Sequence, residues 1–568
     1  MRATAILFLS FLVLGCAQSN VVQTQSGMLE GAVSDEYETV AVYKGIPYAK
    51  PPVEELRWVP PQPADAWEGV RPATDFASEC MQTPVEEGLY TTAPASTSED
   101  CLYLNVWTPT DANEANLPVM VWIHGGAFIM GSGSSPGYNG ASLANRGAVV
   151  VTINYRLGIF GFFAHPALSA ESPNNVSGNQ GLYDQIAALQ WVQDNIANFG
   201  GDPSNVTIFG ESAGSMSVCY LVSSPLANGL FQKAIGQSGA CFAEHRALDT
   251  DINEIEPFTM PGTPAVVGSG HEIGLEVASA LGVTGTGPEA LAKLRELNEL
   301  SIFETLREAD VNPHWRSIFV DGHLFPDQMR ALFKSGQSNP VDVIVGSTRD
   351  EGTALFTFFQ DISVEDWERD LIGNLGETSA SKLMAVYGED ASISTRTTSQ
   401  ELMSDQLFAW EMRTWARINT ALGRNAYVYV FNHAPVLPEY GESLGAFHGS
   451  EIAYIFGTGS LMFAAEVESS DDVEATTAEF WRAEDDQVLE TIQQYWFNFA
   501  ATGDPNGDDL PDWPVYDVST DQTLEIKLQS APMKNYRGAK LDVWDEIMTA
   551  AKTELDSSEE QSDAEGET

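Results

Sequence analysis

The chain has 568 residues, 43% apolar and 10% aromatic, enough for a large core; global disorder, a collagen-like fibre and a small disulfide-stapled scaffold are excluded. Against 28 basic side chains stand 80 acidic ones, a net charge of −52, which repels phosphate backbones and anionic membranes and excludes nucleic acid as a natural partner. The basic residues divide into 10 Lys and 18 Arg, and few Lys among many carboxylates is the surface expected of a salt-adapted protein.

In chain order, Arg2 precedes an apolar run from Ala3 to Leu14. That run is too short for a membrane-spanning helix, which needs ~20 residues, and it reads as a secretory leader. It ends Val13-Leu14-Gly15-Cys16, which resembles the bacterial lipobox, where the cysteine is diacylated and becomes the first residue of the mature chain. Ordinary cleavage after Ala17 suits the same small residues. The expectation is an exported protein with a leader over 1–16, periplasmic or membrane-anchored through Cys16, alternatively secreted. Export permits disulfides among Cys80, Cys101, Cys219 and Cys241. Cys80 and Cys101 enclose 20 residues, and closing such a loop is worth about 3 kcal/mol in the chain-entropy model. Cys219 and Cys241 pair or remain buried thiols; both options stay open. No Cys/His spacing fits zinc, so no metal is expected.

Apolar, β-branched and aromatic runs predict strands over 102–107, 117–123, 148–154, 206–209, 234–237, 341–346 and 427–431. Helical spacing covers 184–199, where Ile186, Leu189, Val192 and Ile196 make one stripe, and 216–222, 272–281, 290–297, 405–422 and 479–502. Strands alternating with helices predict an α/β fold, a large mostly parallel sheet with helices on both faces. One domain is expected over 20–550. The tail 552–568 carries seven carboxylates and no aromatic, the composition of a disordered acidic tail. Loops at 80–100, 247–270, 303–325 and 354–380 are expected to wall a pocket. Trp315, Phe356, Phe358, Phe408 and Trp410 are candidates to line it, with core packing the alternative for each.

The chemistry is carried by Gly210-Glu211-Ser212-Ala213-Gly214, directly after the strand VTIF. A sharp strand-to-helix turn with small residues two before and two after lifts a serine hydroxyl off the sheet edge, and the next helix aims its positive end there. A serine needs a base. In the order nucleophile, acid, histidine, His448 in Gly445-Ala446-Phe447-His448-Gly449 follows a strand and sits in a small-residue loop. After strand VDVIVG come Asp350 and Glu351, and chemistry alone does not choose between them. His124-Gly125-Gly126-Ala127 follows strand PVMVWI and matches a turn whose amides hold an oxyanion.

Together with YKGIPYAKPP (43–52), SEDCLYLNV (98–106), NYRLGIFGF (154–162), GNQGLYDQ (178–185), STRDEGT (347–353) and HGSEIAYIFG (448–457), these motifs resemble the type-B carboxylesterase/lipase family, the cholinesterase-like branch of the α/β-hydrolases. The resemblance implies Ser212, Glu351 and His448 as the catalytic triad. It implies the amides of Gly126, Ala127 and Ala213 as the oxyanion hole, with Ser238 a hydroxyl near acid and histidine and Glu211 a supporting carboxylate. It implies a Cys80–Cys101 disulfide, and structural ion pairs Arg57–Glu99 and Arg156–Asp184. Where cholinesterases carry a choline-binding Trp, this chain has Thr91 beside Tyr90, and after the acid it has Ala354 and Leu355 with Phe356 one residue later. Choline esters are therefore poor candidates. The expected function is hydrolysis of small to medium carboxylic esters through an acyl-enzyme, without metal or organic cofactor and with a small-molecule ester as partner. Rival expectations are a lipase for long-chain esters and a non-catalytic binding protein on the same fold. Activity is expected to fall below about pH 6–7 as His448 protonates.

Overall fold

The computed structural model describes residues 20–82, 96–112, 115–249, 268–309, 318–437, 443–459 and 481–549. The segment 1–16 expected to be a leader, with Cys16, the acidic tail, Tyr90, Thr91 and Trp315 lie outside the described residues. Eleven strands form the central sheet: β1 (Ala32–Val33), β2 (Val40–Pro47), β3 (Tyr103–Pro109), β4 (Leu117–Ile123), β5 (Val149–Ile153), β6 (Gly201–Glu211), β7 (Lys233–Gln237), β8 (Asp342–Thr348), β9 (Ala426–Phe431), β10 (Gln522–Ile526) and β11 (Ala531–Lys534). Their spatial order is 11-10-9-8-7-6-4-5-3-2-1. From β5 through β4 and β6 to β10 every neighbouring pair is parallel. The margins, β1–β2–β3 and β11, run antiparallel.

Period-2 alternation distributes the apolar side chains of each strand between two cores. Val119, Val121, Val151, Ile208, Val343 and Val345 pack on one face against helix α1 (Gln180–Asn195), helix α2 (Ala213–Ser223) and a later helix carrying Met412 and Trp415. Met120, Trp122, Val150, Phe209, Ile235 and Ile344 fill the other face against Val488, Ile492, Trp496 and Phe499. Burial on both faces explains why the central strands read as unbroken apolar runs.

Several boundaries differ from the sequence reading. Helix α1 starts at Gln180 rather than at residue 184: buried Leu182 extends the apolar stripe of Ile186 and Leu189 one turn earlier, and Gln180 accepts the Gly178 N–H at 3.0 Å through its side chain. Residues 354–380, read as loop, contain most of helix α3 (Val364–Ala391), which is kinked at Gly376 (φ 75°). Helix α4 (Thr395–Ser404) and helix α5 (Trp410–Ala421) are separated by one π-helical turn, Asp405–Ala409, where a single helix over 405–422 was expected. Residues 303–308, part of another expected pocket loop, complete the helix Glu299–Glu308. Helix α6 (Ala483–Thr502) begins after its N-cap Arg482, where a start at residue 479 was expected.

Both ion pairs implied as scaffold are made. Arg156 is bidentate on Asp184 at 2.7 and 2.8 Å, with side chains 3% and 0% exposed. Arg57 is paired with Glu99 and also donates to the Leu297 carbonyl at 2.7 Å. Cys80–Cys101 is bonded, and so is Cys219–Cys241, the pair left open by sequence.

Candidate active site

The parallel strands deliver the predicted chemical groups to one edge. Ser212 follows β6, His124 and Gly125 follow β4, Ser238 follows β7, Glu351 lies three residues past β8, and His448 lies in the loop after β9.

At the end of β6 the chain turns into α2 without a connecting loop. The turn holds Ser212 at φ 56° and ψ −125°, a conformation that costs a non-glycine residue about 1–3 kcal/mol. Its N–H is tied to the Gln237 carbonyl at 2.9 Å. The flanking glycines have no alternative: a Cβ on Gly210 would come within 2.6 Å of Gly214 and the Ile123 carbonyl, and one on Gly214 within 2.0 Å of the same carbonyl. Gly239 lies against the Ser212 carbonyl, so the strand-end loop of β7 buttresses the elbow from beneath.

The turn after β4 is strained as well. Gly126, Ala127 and Phe128 have φ of 100°, 54° and 62°. Gly125 lies against the elbow; a Cβ there would stand 2.8 Å from the Glu211 carbonyl and 3.2 Å from Ser212 Cβ. His124, fully buried and stacked on Tyr155 at 4.4 Å, hydrogen-bonds the Gly125 carbonyl through Nδ1 at 2.8 Å. Burial pushes its imidazole down to about 4, so it stays neutral and supports the turn. The N–H groups of Gly126, Ala127 and Ala213 meet no acceptor among the described residues.

The two carboxylates after β8 do different work. Glu351, 1% exposed, accepts from His448 Nδ1 at 2.5 Å, from Ser238 Oγ at 2.5 Å and from the Thr348 N–H at 2.8 Å. Asp350 instead clasps the histidine loop. It accepts the Ala446 N–H at 3.0 Å, its own N–H donates to the Ala446 carbonyl at 2.9 Å, and Thr353 Oγ1 donates to the Leu444 carbonyl at 2.6 Å. One carboxylate therefore orients the imidazole, and its neighbour fixes the loop that carries it.

On its other side, His448 Nε2 stands 3.0 Å from Glu211 Oε1, and Glu211 is the residue before Ser212. Behind them lies Glu451, fully buried, which accepts from Gln237 Nε2 at 3.3 Å. Burial pulls the His448 imidazole down, but the charges of Glu211 and then Glu351 outweigh it and raise it to about 9. Burial lifts Glu211 to about 7 and Glu451 to about 8. The cluster thus retains a proton above the pH at which a free histidine would lose it. The sequence expectation of a fall below about pH 6–7 moves upward accordingly.

Among the pocket candidates, Phe408 is half-buried, with its ring centroid 4.9 Å from that of His448. Trp410 and Phe356 are core residues, 2% and 3% exposed, whereas Phe358 is 49% exposed. Sequence reasoning did not single out Glu451 or Asp350's clasp. Glu451 had a signal, a carboxylate three residues after the histidine, but no rule says that such a group is buried.

A sequence profile of the carboxylesterase family matches residues 18–544. Over 533 residues the chain is 36% identical to the para-nitrobenzyl esterase of Bacillus subtilis (strain 168), covering 91% of this chain and 97% of that one. It is 33% identical over 566 residues to the liver carboxylesterase of Sus scrofa, covering 94% of each. A solved PNB esterase superposes with a TM-score of 0.75 at 31% identity, covering 92% of this chain and 99% of that one. The Geobacillus stearothermophilus carboxylesterase gives 0.74 at 32% identity, covering 92% and 100%. The chain therefore has the α/β-hydrolase fold and belongs to the carboxylesterase family, as a serine ester hydrolase of its type-B branch close to the bacterial PNB esterases.

Proposed function

We propose that Ser212 is the nucleophile, His448 its general base and Glu351 the group that fixes the imidazole. The substrates are small to medium carboxylic esters. Ser212 Oγ attacks the ester carbonyl while its proton passes to His448 Nε2. Glu351 holds Nδ1–H and stabilises the imidazolium. The carbonyl oxygen becomes an oxyanion, met by the amides of Gly126, Ala127 and Ala213 at the positive end of α2. His448 returns its proton to the departing alcohol oxygen, leaving an acyl ester on Ser212. Water, deprotonated by the same imidazole, then attacks the acyl carbon, and His448 passes that proton to Ser212 Oγ as the carboxylic acid leaves.

The observation that carries this reading is the 2.5 Å Glu351–His448 hydrogen bond, with His448 Nε2 3.0 Å from the carboxylate of Glu211, the residue before a serine held at φ 56°. Strain of this kind persists only where surrounding structure imposes it. The likeness to a para-nitrobenzyl esterase and to a liver carboxylesterase supports a general esterase. Ser212→Ala lowers turnover of p-nitrophenyl acetate at least ~10³-fold with the fold intact; retention of turnover ends the proposal. An acyl series from acetate to palmitate separates esterase from lipase, since a lipase prefers the long, insoluble end.

Export belongs to the same proposal: a cleaved leader and a diacylated Cys16 holding the enzyme at a membrane surface. Two disulfides, bonds that persist in oxidising compartments, support it. Cys16→Ser then moves the protein from the membrane fraction to the soluble one. An unprocessed chain in the cytoplasmic fraction overturns it.

A further inference from the structure

The π-helical turn Asp405–Ala409 interrupts what would otherwise be one long helix, and such turns shift side chains out of the α-helical register. The turn is pinned from behind. Asp405, 1% exposed, accepts from Tyr387 Oη at 2.7 Å and from Arg537 Nη1 at 2.9 Å. Trp410, the next residue after the turn, donates to Asp545 Oδ1 at 2.7 Å. Between these anchors Phe408 remains half-buried and lies on the His448 imidazole, centroids 4.9 Å apart and planes 33° apart.

Reaction chemistry says which half of a substrate meets that ring. The proton on His448 Nε2 goes to the leaving alcohol oxygen, so donor and acceptor approach to about 3 Å. The first carbons of the alcohol then lie within about 4–5 Å of the imidazole, the reach of a ring stacked upon it. The acyl carbon is bonded to Ser212 Oγ, and its oxygen faces the amides of the other turn. During deacylation the alcohol has gone.

We propose that Phe408 is a specificity-determining residue for the alcohol moiety of the ester, favouring apolar and aromatic alcohols through its ring and leaving acyl selection to other walls. The proposal rests on the assignment of Ser212 and His448 above. An aromatic alcohol gains an offset or edge contact with Phe408 that ethanol cannot make.

The test compares kcat/KM, which reports acylation, for benzyl against ethyl acetate and for ethyl butyrate against ethyl acetate. The wild type and the Phe408→Ala, Phe408→Leu and Phe408→Tyr variants are each measured. In Phe408→Ala and Phe408→Leu the benzyl-to-ethyl ratio falls about fivefold to tenfold, while the butyrate-to-acetate ratio stays within about twofold. Phe408→Tyr restores the wild-type alcohol ratio. The leucine variant keeps an apolar side chain in the turn, so a result remains if alanine impairs folding. An unchanged alcohol ratio overturns the proposal, as does an acyl ratio that moves equally or a parallel loss on all esters, which would make Phe408 a mere support for His448. Hydrolysis that survives Ser212→Ala would instead sink the underlying assignment, which separates the two failures.

Discussion

Replacing Glu211 by Gln probes the electrostatics of the site most sharply. The Glu211 carboxylate stands 3.0 Å from His448 Nε2 and is the first of the charges that raise the imidazole to about 9 against the downward pull of burial. Two unit charges about 4 Å apart at an effective dielectric of ~20 interact by about 4 kcal/mol, equivalent to about 3 pKa units. Glutamine keeps the shape and removes the charge, so burial regains weight and the imidazole pKa falls by about one to three units. The assay is the pH dependence of kcat/KM for p-nitrophenyl acetate between pH 5 and 10. With His448 as the proposed general base, wild-type activity is expected to rise with pH along a limb displaced above the ordinary imidazole value of 6.5. In Glu211→Gln that limb moves to lower pH. The plateau drops about 10-fold, because the imidazolium formed in the transition state loses part of the same attraction. A limb that stays put in the variant would refute the reasoning, since nothing else in the substitution removes a charge beside Nε2.

Other consequences follow from the same geometry. Gly126→Ala forces a Cβ to within 2.2 Å of the Met130 carbonyl, so the turn proposed to hold the oxyanion must shift, and kcat is expected to drop at least ~10²-fold, checked by steady-state kinetics alongside circular dichroism. Burial pulls Asp485 upward, but hydrogen bonds from His433, Tyr454 and Arg482 outweigh it and hold it at about 2, below its ordinary 3.8. Its stabilising contribution is present above pH ~4 and is lost as pH falls through 3.8 towards 2. Asp485→Asn therefore costs about 2 kcal/mol at pH 7 in urea unfolding, with a smaller difference from wild type near pH 3. The net charge of −52 makes self-repulsion large, and raising salt from 0.1 to 1 M shortens the screening length from about 10 to about 3 Å, so the thermal midpoint is expected to rise with salt, measured by calorimetry.

Local chemistry made much of this molecule readable. The elbow was legible because only small residues fit at positions 210 and 214, where added Cβ atoms would collide with the β4 end; composition and position together state the constraint. The central strands were legible because burial on both faces leaves only apolar residues. The choice between Asp350 and Glu351 was not, since both are carboxylates on one turn. What separates them is the direction of each side chain, one into the Ala446 backbone and one onto His448. The π turn was equally hidden. Residues 405–422 keep helical spacing through Trp410, Thr414 and Ile418, and the partners of Asp405 at the break, Tyr387 and Arg537, are distant in sequence. The Cys219–Cys241 bond depended on the distance between α2 and the loop after β7, a tertiary quantity.

The account stands or falls on Ser212 as the group that takes the acyl chain. The direct measurement is to treat the intact enzyme with diethyl p-nitrophenyl phosphate and map the adduct by peptide mass spectrometry. The account predicts stoichiometric diethylphosphoryl labelling of Ser212, with esterase activity lost in proportion. Activity that persists in the fully labelled enzyme, or inactivation with the label on another residue, would contradict it.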